Sequence, residues 1–372
     1  VALSQEQLHM NSMKIHWICA EITHYHAYFF NALSADCEID LTVHFEKEFH
    51  GRHPWKKRPE LRFKYYMLDL RWGLDPTLFR LALDGSNRFV IAGWHRPFLI
   101  LLALWLTVLR RDFLFWSDVP DPSKRRSIAK RMIRSIVSRF FFRAAKNLMS
   151  TGEPGLKAFA AMGAPPGKLV AFPYFAEITP YDPSWKEISA GEPVTIVSLG
   201  ALTIEHKGQD VAVEALGRLK DLIGPGRFRY YIGGTGQDFE RLKILVDKHG
   251  IRDDVEFLGW LEIDEVTALL QRSHMMLHPA RWEPFGVAVL EAMVNGVVVL
   301  GSAGTCAVLD RIQHGVNGFI HEVGDAAAIM EQLTIVIHDR ERLHKMGCAA
   351  RKTAEKWPAS RGVEIVKSAF SG

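Results

Sequence analysis

Short runs of buried-type residues alternate with longer amphipathic stretches along almost the whole chain, and that spacing predicts an α/β protein. Lys14 to Cys19 (KIHWIC) reads as a buried strand and Ile39 to Phe45 (IDLTVHF) as a second, with a helical stretch from Tyr25 to Leu33 between them. Further strands are predicted at Phe89 to Ile91, Phe113 to Trp116, Leu148 to Ser150 and Leu169 to Phe172, alternating with helices at 97–110, 123–145 and 154–162. Such alternation builds a parallel sheet covered on both faces. From Ala176 to Pro193 the chain turns rich in Pro, Ser and acidic residues, as a linker would. A second series follows, with strands at Thr195 to Leu199, Arg229 to Ile232, Val255 to Leu258, Met275 to Leu277, Val297 to Leu300 and Gly318 to Ile320. The expected architecture is two doubly wound, Rossmann-like domains at 13–176 and 193–356, joined by a linker at 177–192. A last helix at 357–372 has either domain to pack on, the N-terminal one included. Open α/β sheets bind ligands beyond the carboxyl ends of their strands, so two of them would frame a cleft.

Composition narrows the class. With 372 residues, 48% of them hydrophobic, the chain has enough apolar material for two cores, which excludes disordered and fibrous proteins. A formal charge of +4 conceals two opposed halves. Residues 1–176 carry 25 Lys and Arg against 15 Asp and Glu, whereas the remainder carries 21 against 27. The excess of +10 in the first half points to an anionic partner or surface. Cys19, Cys37, Cys306 and Cys348 form no paired motif, which argues against a disulfide framework or a cysteine zinc site and fits a reducing, cytoplasmic setting. The longest apolar run, Phe98 to Leu109, is shorter than the roughly 20 residues of a membrane span and reads as a buried helix. The first residues lack the basic start and apolar run of a signal peptide.

The densest chemical signal is MMLHPARWEPFGVAVLEAMVNGVVVL, Met275 to Leu300, read as strand, loop, helix and strand. Pro284 suits a first helical turn, and the N–H groups of Phe285, Gly286 and Val287 would then face an anion at the positive end of the helix dipole. Glu283 and Glu291 are eight residues apart, about two turns and roughly 12 Å on an ideal axis, so one ligand touching both would be nucleotide-sized. The plainer alternative is a capping Glu283 and a solvated Glu291. A glycosidase pair, with carboxylates about 5 to 9.5 Å apart, fits the spacing poorly. In VSLGALTIEHKGQD a strand ends at Gly200, where a ligand can approach the backbone, and Lys207-Gly208 opens a helix, which places Lys207 to reach a phosphate as a point charge. Gly233-Gly234-Thr235-Gly236 lacks the third glycine of a dinucleotide fingerprint and reads as a tight turn near a ligand.

Together these segments resemble the family-4 retaining glycosyltransferases of the GT-B fold. EPFGVAVLE (Glu283 to Glu291) has that family's two glutamates, Lys207-Gly208 its lysine and glycine, and IGGTGQDFERLKILVDKHGIRDDVEFLGWL and HGVNGFI are similar to its neighbouring stretches. The resemblance covers about 193–370 and continues weakly through GAPPGKLVAFPY. It implies a UDP- or GDP-sugar donor in the second domain. Glu283 would meet donor-sugar hydroxyls, Phe285 and Gly286 would hold sugar or phosphate through their N–H groups, and Glu291 would accept from the ribose. Lys207 would stabilise the leaving diphosphate, and no metal is then required. The chain departs from the family at Ala201, where Arg is frequent, and at Cys306, Ala307 and Asp310, where Gly-Gly and Glu are usual.

In the first domain, AEITHYH stands where the family has a glycine-rich loop, so His24 and His26 are candidates to orient an acceptor, with packing as the alternative. Asp118, at another strand end, is a third candidate or a helix cap. Nine Lys and Arg and no acid lie between Lys124 and Lys146, with Ile128, Met132, Ile136 and Phe140 at helical spacing. Basic and apolar faces together suit an anionic lipid surface, and Arg52 to Lys64 with Trp55 adds to it. No nucleic-acid module is visible. The resulting expectation is a glycosyltransferase at the inner face of a membrane, acting on a saccharide or lipid-linked acceptor for surface polysaccharide or glycolipid. A nucleotide-sugar epimerase, a phosphorylase and a non-catalytic membrane-bound binding protein are the alternatives.

Overall fold

The computed structural model describes residues 12–47, 56–70, 73–121, 127–189 and 191–371. The chain divides into two compact units, one running to Phe175 and resuming at Ala359, the other Ala176–Pro358.

The first unit is built on seven parallel strands: β1 (Met13–Glu21), β2 (Ile39–Lys47), β3 (Lys64–Met67), β4 (Asn87–Ala92), β5 (Phe113–Ser117), β6 (Asn147–Ser150) and β7 (Leu169–Ala171). Their order is β3-β2-β1-β4-β5-β6-β7. The central strands are apolar because both faces are covered: Ile15, Trp17, Val90 and Phe115 are fully buried. Helix α1 (His24–Ser34) starts where the Thr23 side chain accepts from the His26 N–H. Helix α2 (Pro76–Leu81) follows β3, and α3 (Pro97–Val108) opens with its proline in the first turn. The apolar run that forms α3 is only half buried. Leu99, Leu102, Ala103 and Leu106 face the core, whereas Leu101, Leu104 and Val108 are exposed, so uniform apolarity here does not mean burial all round.

Helix α4 (Ile128–Ala144) is the basic helix, and Lys124, Arg125 and Arg126 lie outside the described residues, as do Arg52 and Trp55. Its core contacts come from the C-terminal turns, through Ser138, Phe141 and Phe142. Of the stripe read from periodicity, Ile128, Met132 and Ile136 face outward, 77%, 61% and 65% exposed, while Phe140 packs on the core. Helix α5 (Gly152–Ala161) completes the alternation. The last helix, here α14 (Ala359–Ser371), packs on α1 in this unit. Lys146 and Asn147 donate to the carbonyls of Phe370 and Ala369 at 2.6 and 2.8 Å, and a Cβ at Gly362 would meet the rings of Phe175 and Phe29.

The second unit holds β8 (Val194–Leu199), β9 (Phe228–Gly233), β10 (Val255–Gly259), β11 (Met275–His278), β12 (Val298–Ser302) and β13 (Gly318–His321), all parallel, in the order β10-β9-β8-β11-β12-β13. One core cluster joins Ile196, Tyr230 and Leu300 to the apolar faces of α7 (Gln209–Ile223) and α12 (Ala326–His338). The one polar tip inside it is satisfied: Tyr230 donates to Ser198, which donates to the Leu277 carbonyl. Ahead of β8, the Pro-, Ser- and acid-rich segment is docked on this unit. Lys186, 5% exposed, donates to the carbonyls of Leu270, Gln271 and Ser273, and Arg340 reaches those of Ile188 and Glu192.

Candidate functional site

The loops after β8 and β11 meet. Beyond β8, Gly200 adopts φ +138°, and a side chain there would lie 3.6 Å from Cε and 3.8 Å from Nζ of Lys207, so the ammonium sits over bare backbone. Lys207 ends the one-turn helix α6 (Ile204–Lys207) instead of opening the long one, which starts at Gln209. Between them Gly208 turns the chain at φ +65°, with Pro279 O so close that a Cβ would lie at 2.1 Å. Arg281 fixes this crossing, forming a bidentate pair with Asp210 at 2.8 and 2.7 Å and donating to Ile204 O. The Gly234 and Gly236 positions are explained by packing within the protein, because Cβ atoms there would strike the carbonyls of Gly200 and Leu202. The glycine turn thus backs the Gly200 loop.

Beyond β11, Glu283 and Lys207 form an ion pair, with both side chains only partly exposed. Seventy-six residues separate them in sequence. The start of the following helix differs from the sequence expectation. Pro284 and Phe285 remain in a bend outside the helix, because Glu283 N bonds Gly304 O, Cys306 N bonds Glu283 O and Ala307 N bonds Phe285 O. Gly286 then turns at φ +99°, and α10 runs Val287–Val294. The first-turn N–H groups without intrahelical acceptors are therefore those of Val287 and Ala288, and the 12 Å ideal-helix spacing of the two glutamates does not apply. Glu283 caps no helix. Glu291 lies within α10, and although the residue keeps some exposure, burial of its carboxyl pushes it up to about 7.

His278 and Arg281 were not singled out from sequence. His278, 4% exposed, lies behind Gly286, where an added Cβ would be 3.5 Å from its Nε2. Burial first, and the nearby Lys207 charge second, push it down to about 4, so it is a neutral neighbour of the ion pair. Its position at the end of β11, five residues before Glu283, was the available signal.

In the first unit, a pocket of about 260 Å³ opens at the carboxyl ends of β1, β4 and β5 and takes in His26 and Asp118. His24 opens α1 and is not among the lining residues. The His26 ring is held by Glu21 O at 3.2 Å and lies 3.7 Å from the Cys19 sulfur, and burial pushes it down to about 4. It is a packed, neutral wall. Asp118 accepts from the Tyr174 hydroxyl at 2.9 Å.

Residues 183–353 match the family described as glycosyl transferases group 1. N-acetyl-alpha-D-glucosaminyl L-malate synthase of Bacillus anthracis is 37% identical over 120 residues, 32% of this chain and 31% of that protein. The putative colanic acid biosynthesis glycosyltransferase WcaL of Salmonella typhimurium is 30% identical over 180 residues, 46% of this chain and 43% of that one. The chain thus spans less than half the length of these curated relatives. The crystal structure of HepE from Anabaena with UDP matches with a TM-score of 0.72 over 96% of this chain and 100% of its own, at 15% identity. That likeness is one of fold, and the fold is GT-B.

Proposed function

We propose, for a chain whose residues 183–353 are a group 1 glycosyl transferase domain, that it transfers a sugar from a nucleotide-sugar to a saccharide or lipid-linked acceptor with retention of configuration. The observation that carries this reading is the Lys207–Glu283 pair beside Gly200, whose bare backbone leaves the ammonium room for a ligand, and Gly286, whose turn starts the helix against Glu283 and Thr305. Breaking a sugar–phosphate bond builds charge on the departing diphosphate, which a preorganised ammonium and the Val287 and Ala288 N–H groups stabilise without reorganising. Glu283 then meets sugar hydroxyls, Phe285 and Gly286 flank the sugar and phosphate, and Glu291 accepts from the ribose. The test is nucleotide release from a panel of UDP- and GDP-sugars with and without a membrane extract as acceptor, followed by NMR of the product anomer. An acceptor-dependent, retained product is expected. Inversion overturns the stated stereochemistry, and no release with any donor overturns the reading.

Glu291 gives the donor site a pH dependence with a defined sign. In the free protein its carboxyl ionises near 7, and ribose hydroxyls favour the carboxylate, so binding lowers that pKa and expels a proton. Donor affinity therefore rises with pH up to about 7, by at most about tenfold per unit, and is level above. Without donor the sign reverses. The folded chain holds this proton more tightly than the unfolded one, so the contribution to stability is full below the ordinary carboxylate range and lost as pH rises through 7. Calorimetric titration of a donor sugar between pH 5.5 and 8 checks it, and Glu291→Gln is expected to flatten the profile.

The membrane part of the reading is supported by α4. Exposed Ile128, Met132 and Ile136 share the helix with exposed Lys130, Arg131 and Arg139, a combination that suits the cytoplasmic face of an anionic bilayer. Among the described residues no helix is long and apolar enough to cross a membrane, and the attachment proposed is peripheral, through α4. Sedimentation with phosphatidylglycerol vesicles is expected to exceed that with phosphatidylcholine, to weaken with salt, and to fall at least about 100-fold for the Lys130→Glu, Arg131→Glu, Arg139→Glu triple variant, at about 1 kcal/mol per cation. Equal binding to both lipids would contradict it.

A further inference from the structure

The first-unit pocket is acidic, although residues 1–176 carry a net positive charge. Its lining includes two carboxylates, Glu21 and Asp118, and three aromatic residues, Tyr25, Trp116 and Tyr174. The aromatic rings form one cluster, with Tyr25 and Trp116 centred 4.9 and 5.3 Å from Tyr174. Tyr174 is pushed well up by burial and then by Asp118, so it remains a neutral hydroxyl donating to that carboxylate. The two histidines of the lining offer no free cation. His26 is neutral and held by the Glu21 carbonyl, while His95 contacts Glu46 at 3.0 Å. Glu46 also takes up the Arg96 charge at 3.1 Å.

Aromatic faces pack against the C–H face of a sugar ring, and carboxylates accept from its hydroxyls, whereas a carboxylate or phosphate on the ligand would be repelled. The volume, about 260 Å³, falls below the roughly 300–1,000 Å³ of drug-sized ligand sites, enough for one ring and its waters. We infer that this pocket is a one-ring saccharide site that admits an uncharged sugar and rejects anionic ones. The inference rests on reading the first unit as the acceptor side. It also separates two duties within that unit. Trp94 follows the pocket-lining Gly93 and carries Arg134 of α4 over its ring at 5.3 Å, so a basic helix adjoins an acidic pocket. The basic helix meets the anionic charge of the surface, and the pocket reads the uncharged ring.

Saturation-transfer NMR on the full chain tests this with methyl glycosides of glucose, galactose, mannose and N-acetylglucosamine against glucuronate and galacturonate. At least one neutral glycoside is expected to bind, to be lost in Ala92→Phe, which fills the pocket from the end of β4, and to exceed the matched uronate at least about tenfold. Glu21→Gln with Asp118→Asn is expected to admit the uronate. Vesicles displaying the bound ring as a glycolipid headgroup identify the source. Retention beyond plain vesicles of equal charge assigns a membrane-borne sugar, and binding of the free glycoside alone assigns a soluble saccharide; either supports the site. A uronate that binds the native chain as well as its neutral counterpart overturns the inference, as does the absence of any neutral signal sensitive to Ala92→Phe. A chain that binds the ring but no nucleotide-sugar refutes glycosyl transfer and leaves the saccharide site standing.

Discussion

Lys207→Ala leaves the protein folded and lowers turnover by about 100- to 1,000-fold, the loss typical when one preorganised charge donor is removed from a developing anion. The fold is expected to survive because Lys207 is at the end of a one-turn helix and part of its side chain is exposed, while the crossing of the two loops is held independently by Arg281 on Asp210. The loss should appear in kcat more than in KM, since the ammonium matters most when charge accumulates on the diphosphate. Lys207→Arg is not expected to rescue it. The guanidinium is planar and longer, so it would not place its charge where the ammonium lies, paired with Glu283 over the Gly200 backbone. Steady-state kinetics on the two variants, with circular dichroism as the folding control, checks this; native kcat in Lys207→Ala would refute the role.

Lys186→Met is expected to destabilise the second unit by about 2 to 4 kcal/mol, because carbonyls left unpaired cost more than is regained by no longer burying a cation, whose pKa burial pushes down to about 7. The Lys186 ammonium donates at 2.6, 2.8 and 2.6 Å to three carbonyls where α9 (Ile263–Arg272) ends. The Leu270 carbonyl also accepts from the Ser273 N–H at the helix C-cap, so those of Gln271 and Ser273 depend most on the lysine. Methionine fills the volume and removes all three bonds, which leaves the Gln271 and Ser273 carbonyls without this donor. At about 2 to 4 °C per kcal/mol for a unit of this size, the melting temperature should drop by roughly 10 °C. Differential scanning calorimetry reads it, and a change under about 1 kcal/mol would contradict the assignment.

Much of this molecule is legible in its sequence, and the exceptions share a cause. Strands such as β1 and β11 are buried on both faces, so their apolar runs carry the signal directly. β3 carries none. It is a four-residue edge strand whose Tyr65, Tyr66 and Met67 are exposed, and it lies in a basic stretch with no alternation. On α4 the 3.6-residue period was visible, but period alone does not say where the helix meets a core: Phe140 packs there, while Ile128, Met132 and Ile136 face outward as a lipid-facing side would. The start of α10 was misplaced because Pro284 is locally a good first-turn residue. The pairing of Glu283 and Phe285 with Gly304, Cys306 and Ala307, some twenty residues on, overrides that preference. Lys207 and Glu283 were singled out by their places at strand–helix loops and then by resemblance, while their pairing and the clamp of Arg281 on Asp210 are contacts across more than seventy residues that no local pattern encodes. Lys186 looked like a linker residue for the same reason.

The central claim, a nucleotide-sugar held by the Gly200, Lys207 and Glu283 loops, is tested most directly by thermal shift of the native chain against UDP-, GDP- and ADP-sugars. At about 100 times its dissociation constant a true donor contributes roughly 2.7 kcal/mol, and the melting transition of the second unit should rise by about 5 to 10 °C for one nucleotide class and by less in Lys207→Ala. A panel that produces no shift, or an equal shift in the native chain and in Lys207→Ala, would contradict it.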